Sequence, residues 1–370
     1  MKRFIYILLI LALLSCDSES GPVYENKVIE FAVSTPGVKV TKAEVSVDQL
    51  KQDAGQNNLY LYAAKSDGST SSVIAQSPGA RMHYVAERNV WDAKHYVDIV
   101  EGGIVTGQNE VNIEWEDNLY YTLYAYAFSS NANINSDLII ANSAFGRQFT
   151  VTQPEGGDGT GTIDYLLSSL VNVAPTTAHP LVPIQLEHAM ARIDVDVQIA
   201  DAMYSGTESI VKDISITISG IKRKATMLCL QPKAYGEEGT NTWHVTFDNN
   251  TSTADYTKSI DNSESNREGY ADAAENDMSF MALPVTNSEM TGYELILEYN
   301  NHSKTEPLTP KDYRYTFALK DYSPNGWVNG HKVKYVLTID NSIHLKGTVV
   351  DYQDVDYIEA VLVPDIPGVK

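Results

Sequence analysis

The chain has 370 residues, with 48 acidic against 27 basic side chains and a formal charge of −21. So acidic a surface repels nucleic acid and anionic lipid headgroups, which excludes both as expected partners. Two cysteines cannot staple a chain of this length, so a core must hold it together, and there is enough chain for two domains.

The N-terminus opens with Lys2 and Arg3, followed by the apolar run Phe4 to Leu14, in which Tyr6 is the only polar member. That run has the length of a signal-peptide core and is too short to cross a bilayer as a helix. It ends in Ser15-Cys16, a small residue before a cysteine, which resembles a lipobox. Residues 1–15 are therefore expected to be a signal peptide, with lipid on Cys16 and residues 16–27 as a tether. This predicts a surface-exposed lipoprotein of the outer membrane. Loss of Lys2 and Arg3 with the leader takes the formal charge from −21 to −23.

From Val28 onward, alternation is the dominant period. Ile29, Phe31 and Val33 point one way, and Glu30, Ala32 and Ser34 the other, as on a strand with one buried face. Ser46 to Ala54 reads as a short helix. Leu119 to Phe128 is apolar on both faces and rich in tyrosine, the pattern of a central strand. Pro154 to Gly161, rich in glycine, reads equally as a linker or a loop tip. Asp164 to Val171 is expected to be a second short helix. Prolines at 175, 180 and 183 place a domain boundary near residue 180, giving domains over 28–180 and 181–370.

Strong alternation then restarts. Ile193, Val195, Val197 and Ile199 alternate with Arg192, Asp194, Asp196 and Gln198, which read as a wet face. Ile214, Ile216 and Ile218 repeat the pattern, as do Val333, Tyr335, Leu337 and Ile339. Asn249 to Asp277 is polar and reads as a long surface loop. Turn pairs such as Asp67-Gly68, Gly102-Gly103 and Asn325-Gly326 punctuate the strands. The expected fold is all-β, with two antiparallel β-sandwich domains in tandem.

Familiar catalytic spacings are missing, so no enzyme activity and no cofactor are expected. The eight histidines are scattered, and none forms a zinc motif. His188, beside a strand, reads as a satisfied structural histidine. Asp351, Asp354 and Asp356 suit a calcium ion or simply a wet face, without the spacing of a calcium loop. Cys229, among Met227, Leu228 and Leu230, reads as a small buried apolar residue. Trp91, Trp115, Trp243 and Trp327 admit sugar stacking, although the same rings fill sandwich cores.

Four segments carry a resemblance. Ile184-Gln-Leu-Glu-His-Ala-Met-Ala-Arg-Ile-Asp-Val-Asp-Val197 resembles the strand segment of the fimbrillin family. Trp327-Val-Asn-Gly-His-Lys-Val-Lys-Tyr335, leading into Val-Leu-Thr-Ile339, is similar to that family's turn and late strand. Ile343-His-Leu-Lys-Gly-Thr-Val-Val350 resembles its penultimate strand, and Phe280-Met-Ala-Leu-Pro284 a strand-plus-proline step.

The resemblance implies a type V pilus subunit built of two transthyretin-like sandwiches. Such subunits travel to the surface as lipoproteins, lose their first strand to a protease, and accept a neighbour's strand in its place. Here Val28 to Val40 would be the removed strand, and the cut would fall between Lys42 and Ala43. Lys42 stands where the family usually carries arginine. Ile29, Phe31 and Val33 would leave with the strand. Donor residues would come from Ile343 to Val363, with Ile343, Leu345, Ile358 and Leu362 among them. The implied partners are other pilin subunits, a processing protease and, through lipid, the outer membrane; the implied role is in adhesion, as stalk, anchor or accessory subunit. The alternative is a surface lipoprotein that binds glycans for nutrient uptake.

Overall fold

The structure is a computed structural model describing residues 28–34, 47–52, 59–74, 79–101, 103–116, 119–128, 138–140, 148–168, 171–173, 181–199, 209–229, 233–234, 243–247, 252–260, 278–303, 311–339 and 343–351. Strands dominate it, and the one α-helix among the described residues, Val47–Gln52, has six residues. The all-β expectation holds, and the short helix lies inside the predicted Ser46 to Ala54. No helix among the described residues is long and apolar enough to cross a membrane.

Seven strands of the largest sheet close on themselves. The first strand, Glu30–Ser34, pairs with Val90–Glu101, which pairs with Ala80–Val85, then Leu59–Ser66, Tyr120–Phe128, Tyr165–Ser168 and Val182–His188. Val182–His188 returns to the first strand and completes the ring. Period-two alternation sends one side chain in two inward. Leu59, Leu61 and Ala63, Leu123, Ala125 and Ala127, and Val182, Ile184 and Leu186 all fill the interior. Leu50 of the helix packs into the same core. The central position expected for Leu119 to Phe128 is borne out: Tyr120–Phe128 pairs with three other strands.

The second half is a sandwich. A five-stranded sheet built around Ser209–Lys222 and Glu294–Ser303 faces a four-stranded sheet of Met278–Ala282, Ala191–Ile199, His331–Ile339 and Ile343–Asp351. Ile193, Val195, Val197 and Ile199 lie in parallel register with Val333, Tyr335, Leu337 and Ile339, and all eight are buried. That pairing, and the parallel one between Phe31–Ser34 and Val182–Gln185, make the sheets mixed. A smaller four-stranded sheet holds Gln148–Thr152 and Lys224–Cys229.

Three local expectations need correction. Asp164 to Val171 is not helical: Tyr165–Ser168 and Val171–Val173 are strands. Leu166 faces the ring interior while Tyr165 and Leu167 face an outer apolar cluster, so both faces are buried and no alternation marks the strand. Within the supposed loop Asn249 to Asp277, Thr253–Ile260 is a strand with Ala254, Tyr256 and Ile260 buried. Finally, Arg192 and Asp194 are buried rather than wet. Asp194 accepts hydrogen bonds from Arg192 Nε at 2.8 Å and Ser279 Oγ at 2.7 Å, and pairs with Lys332 Nζ at 2.7 Å. Three neighbouring strands thus surround one carboxylate with two cations and a hydroxyl donor, which is how its burial is tolerated.

The chain passes from ring to sandwich at Ala189-Met190, after Val182–His188 has paired within the ring. That corner is tightly bonded. His188 Nδ1 lies 2.8 Å from Asp164 Oδ2, both side chains buried, the satisfied arrangement read from sequence. Gln153 donates to Ile163 O at 2.7 Å and accepts from Ile163 N at 2.8 Å. Tyr62, Tyr126, Phe128, Tyr165 and Leu167 on the outside of the ring pack with Ala189, Met190, Met281 and Leu283, so one apolar cluster joins the two halves.

Candidate functional site

The site of interest is the slot occupied by the first strand. Ile29 and Phe31 are fully buried in the ring core, and Val33 packs against it. Glu30 is half-buried and Ser34 exposed, so the alternation read from sequence places the faces correctly. On one side Phe31 to Ser34 pair in parallel with Val182 to Gln185. On the other, Glu30 and Phe31 stand opposite Asp92 and Trp91. Just before them, Ile29 N donates to Ile113 O at 2.9 Å and Val28 bridges Glu114.

Several residues that the sequence did not connect with the first strand shape this slot. Trp91, buried opposite Phe31, tilts against Tyr84 with ring centroids 5.3 Å apart. The Tyr121 hydroxyl accepts from Glu116 N at 2.8 Å and donates to Glu114 O at 3.0 Å, fixing the segment that Val28 bridges. Burial pushes that hydroxyl up to about 12. Arg88, in the turn before Val90, pairs with the Glu30 carboxylate. It offsets the like-charge opposition of Glu30 and Asp92 across the strands. One signal was legible: Val182, Ile184 and Leu186 alternate with Pro183, Gln185 and Glu187. Arg88 and Tyr121 have no motif around them.

The terminal edge is the other half of the expected mechanism. Among the described residues Ile343–Asp351 is an edge strand, paired over its whole length with His331–Ile339. Ile343 and Leu345 are buried in the chain's own sandwich core. Lending them to a neighbour would require unzipping that pairing. Ile358 and Leu362 lie outside the described residues, as do Cys16, Lys42 and Ala43.

The remaining candidates are structural. Trp91, Trp115 and Trp327 are buried, so their faces are not open to a sugar. Trp327 Nε1 donates to Tyr335 OH at 2.9 Å, and that hydroxyl also bonds Ser323 Oγ. The Asn325-Gly326 turn delivers Trp327 to the core. Gly326 has φ of +72°, and a Cβ there would stand 2.1 Å from Val285 O, so only glycine fits. Among the described residues no group of three or more histidine, cysteine or acidic side chains is placed to hold a metal.

The sequence pattern of the family described as fimbrillin-like matches residues 85–351. The chain belongs to the fimbrillin-like family. The matched stretch covers most of the ring and the whole described sandwich; the first strand lies ahead of it. The fold of this fimbrillin-like chain is similar to that of a fimbrial protein from Bacteroides vulgatus, with TM-score 0.50 and 12% identity over 87% of this chain and 99% of that one. A fimbrial assembly protein from Parabacteroides distasonis aligns with TM-score 0.35 and 10% identity over 90% of this chain and 98% of that one. No curated protein matches the fimbrillin-like chain.

Proposed function

We propose that this chain is a structural subunit of a surface fimbria, acting in adhesion, and that it joins its neighbours by strand replacement. Membership in the fimbrillin-like family supports the first part. The observation that carries the second is the ring itself: its first strand is a stave, bonded on both sides and contributing Ile29, Phe31 and Val33 to the core. In this reading the ring and the sandwich are the family's two transthyretin-like domains. A protease cuts after Lys42, Ala43 becomes the new N-terminus, and Val28 to Val40 departs.

Removal of the stave would part Trp91-Asp92 from Val182 to Gln185 and leave two rows of backbone groups without partners. Such an edge is a template for strand addition. Refilling the three apolar positions, at roughly 1.5–3 kcal/mol each, contributes on the order of 4–9 kcal/mol as an upper figure. The donor is assigned to the segment after Asp351, which holds Ile358 and Leu362, because Ile343 and Leu345 are engaged at home. Lipid on Cys16 would hold the unprocessed subunit at the outer membrane.

The test is the N-terminus and mass of the surface form. An N-terminus at Ala43 together with a ladder of multimers, both lost in Lys42→Ala, is the expected result. A mature form that begins only at lipidated Cys16 and stays monomeric after cleavage at Lys42 would overturn strand replacement.

A further inference from the structure

The first strand and the segment after Asp351 share a short pattern. Ile29-Glu30 is followed by apolar Phe31 and Val33 at alternate places, and Ile358-Glu359 by Ala360 and Leu362. In the slot the odd-numbered residues of the first strand carry the core: Ile29 and Phe31 are fully buried, and Val33 packs beside them. Glu30 points the other way, where Arg88 pairs with its carboxylate and Asp92 stands opposite. When the stave leaves, Glu30 leaves with it. Arg88 and Asp92 belong to the wall and remain.

Period-two geometry separates the possible registers of an incoming strand. Run in the direction of the first strand, Ile358, Ala360 and Leu362 take the places of Ile29, Phe31 and Val33, and Glu359 takes that of Glu30. A slip of one residue either way turns Glu359 into the core. A slip of two in one direction puts Asp356 in the fully buried place of Ile29. Two in the other puts Pro364, which has no N–H, at Val33 and sets Val361 against Arg88. Run in reverse with Glu359 kept beside Arg88, the strand carries Asp356 to the place of Val33. The first register alone fills the core with apolar side chains and restores the ion pair.

We propose that the slot reads its incoming strand by charge: Arg88 is the specificity-determining residue, and the occupant is Tyr357 to Val363 of a second copy, with Glu359 on Arg88 in place of Glu30. This rests on the strand replacement proposed above and deepens it by fixing the partner segment and its register. In a chain of formal charge −21, an exposed cation beside the slot is what admits an acidic strand. A lysine at the Glu359 position would meet Arg88 as a like charge, and a neutral residue would forgo the pair. Ala360 is smaller than Phe31, so the incoming strand fills the pocket beside Trp91 less fully than the first strand does. The intact first strand therefore holds the slot against it, and exchange waits on the cut.

The experiment reads the multimer ladder of the surface form in variants of the full chain. Glu359→Lys and Arg88→Glu should each lower the ratio of multimer to monomer by about fivefold, and the two together should restore it. Ala360→Phe, which refills the pocket beside Trp91, should yield multimers that come apart at a higher temperature than those of the native chain. A ladder unchanged by both single charge reversals, or one that the double variant fails to recover, would overturn the role of Arg88 and leave strand replacement standing. An Ala360→Phe ladder no more heat-resistant than the native one would overturn the register. A native chain without any ladder would sink this inference together with the strand replacement beneath it.

Discussion

The first strand and the terminal strand are both end segments, and the molecule holds them differently. The first has five residues, sits between two neighbours, and is registered over four residues on one side and two on the other. The terminal strand has nine residues, a single neighbour among the described residues, and a register that runs its full length. One is a short stave that closes a ring; the other is a long edge that extends a sheet. Loss of the stave opens a slot with two bonded walls. Loss of the edge exposes only one. A segment meant to be replaced is better built as the stave, because the returning strand regains both walls.

The largest effect that can break this comparison comes from the stave's deepest anchor. Phe31→Ala should cost about 3–5 kcal/mol in denaturant unfolding. The damage should stay in the ring: amide exchange should quicken at Trp91 to Lys94 and Val182 to Leu186, while Ile193 to Ile199 stays protected. Uniform loss of protection would mean that the two halves unfold as one unit through their shared apolar cluster. Next in size is the sandwich's charge cluster. Asp194→Asn keeps the shape but removes the charge facing Arg192 and Lys332, and should cost about 1.5–3 kcal/mol. Here the ring strands should keep their protection and the four-stranded sheet should lose it.

The two regions also differ in how far the sequence announces them. Ile29, Phe31 and Val33 alternate plainly, so the stave's buried face is legible from local pattern alone. Its partner is not, because Val182 to Gln185 lie far along the chain and pair in parallel, a choice no local signal specifies. The Arg192-Asp194 face misleads for a related reason: polar alternation reads as water until Ser279 and Lys332 arrive from other strands. Tyr165–Ser168, apolar on both faces, gives no period to read. The paired strands Val90–Glu101 and Ile104–Asn112 have the opposite defect, since Val97, Val100, Ile104 and Val105 have the composition of a buried strand although the structure exposes them.

A smaller effect probes the sandwich through pH. Burial pushes the Tyr335 hydroxyl up to about 12, above its ordinary value of about 10. Between those values the unfolded chain releases a proton that the folded chain keeps, so stability falls as pH rises. For this group the fall is about 1.4 kcal/mol per pH unit. Tyr335→Phe should cost about 1–2 kcal/mol at neutral pH, because Trp327 Nε1 loses its acceptor. It should also flatten the alkaline slope measured by urea unfolding between about pH 10 and 12. Tyr121, Tyr256 and Tyr293, likewise raised to about 12 by burial, would contribute to the slope that remains.

The smallest effect compares two exposed ion pairs, one in each region. Arg314 pairs with Glu298 across two sandwich strands, both largely exposed, and Arg314→Ala should change stability by less than about 0.5 kcal/mol. Arg88 is also exposed, but its partner Glu30 belongs to the stave and faces Asp92. Removing Arg88 leaves two acidic side chains opposed across the narrower of the stave's two seams. Arg88→Ala should therefore cost about 0.5–1 kcal/mol, and the cost should shrink with added salt as the opposition is screened. Its sharper readout is local: the Ile29 amide, bonded to Ile113 O, should exchange faster while the Val182 to Leu186 amides do not. Equal and salt-independent effects of the two arginine substitutions would mean that the stave's two-residue seam is no weaker than the long registers of the sandwich.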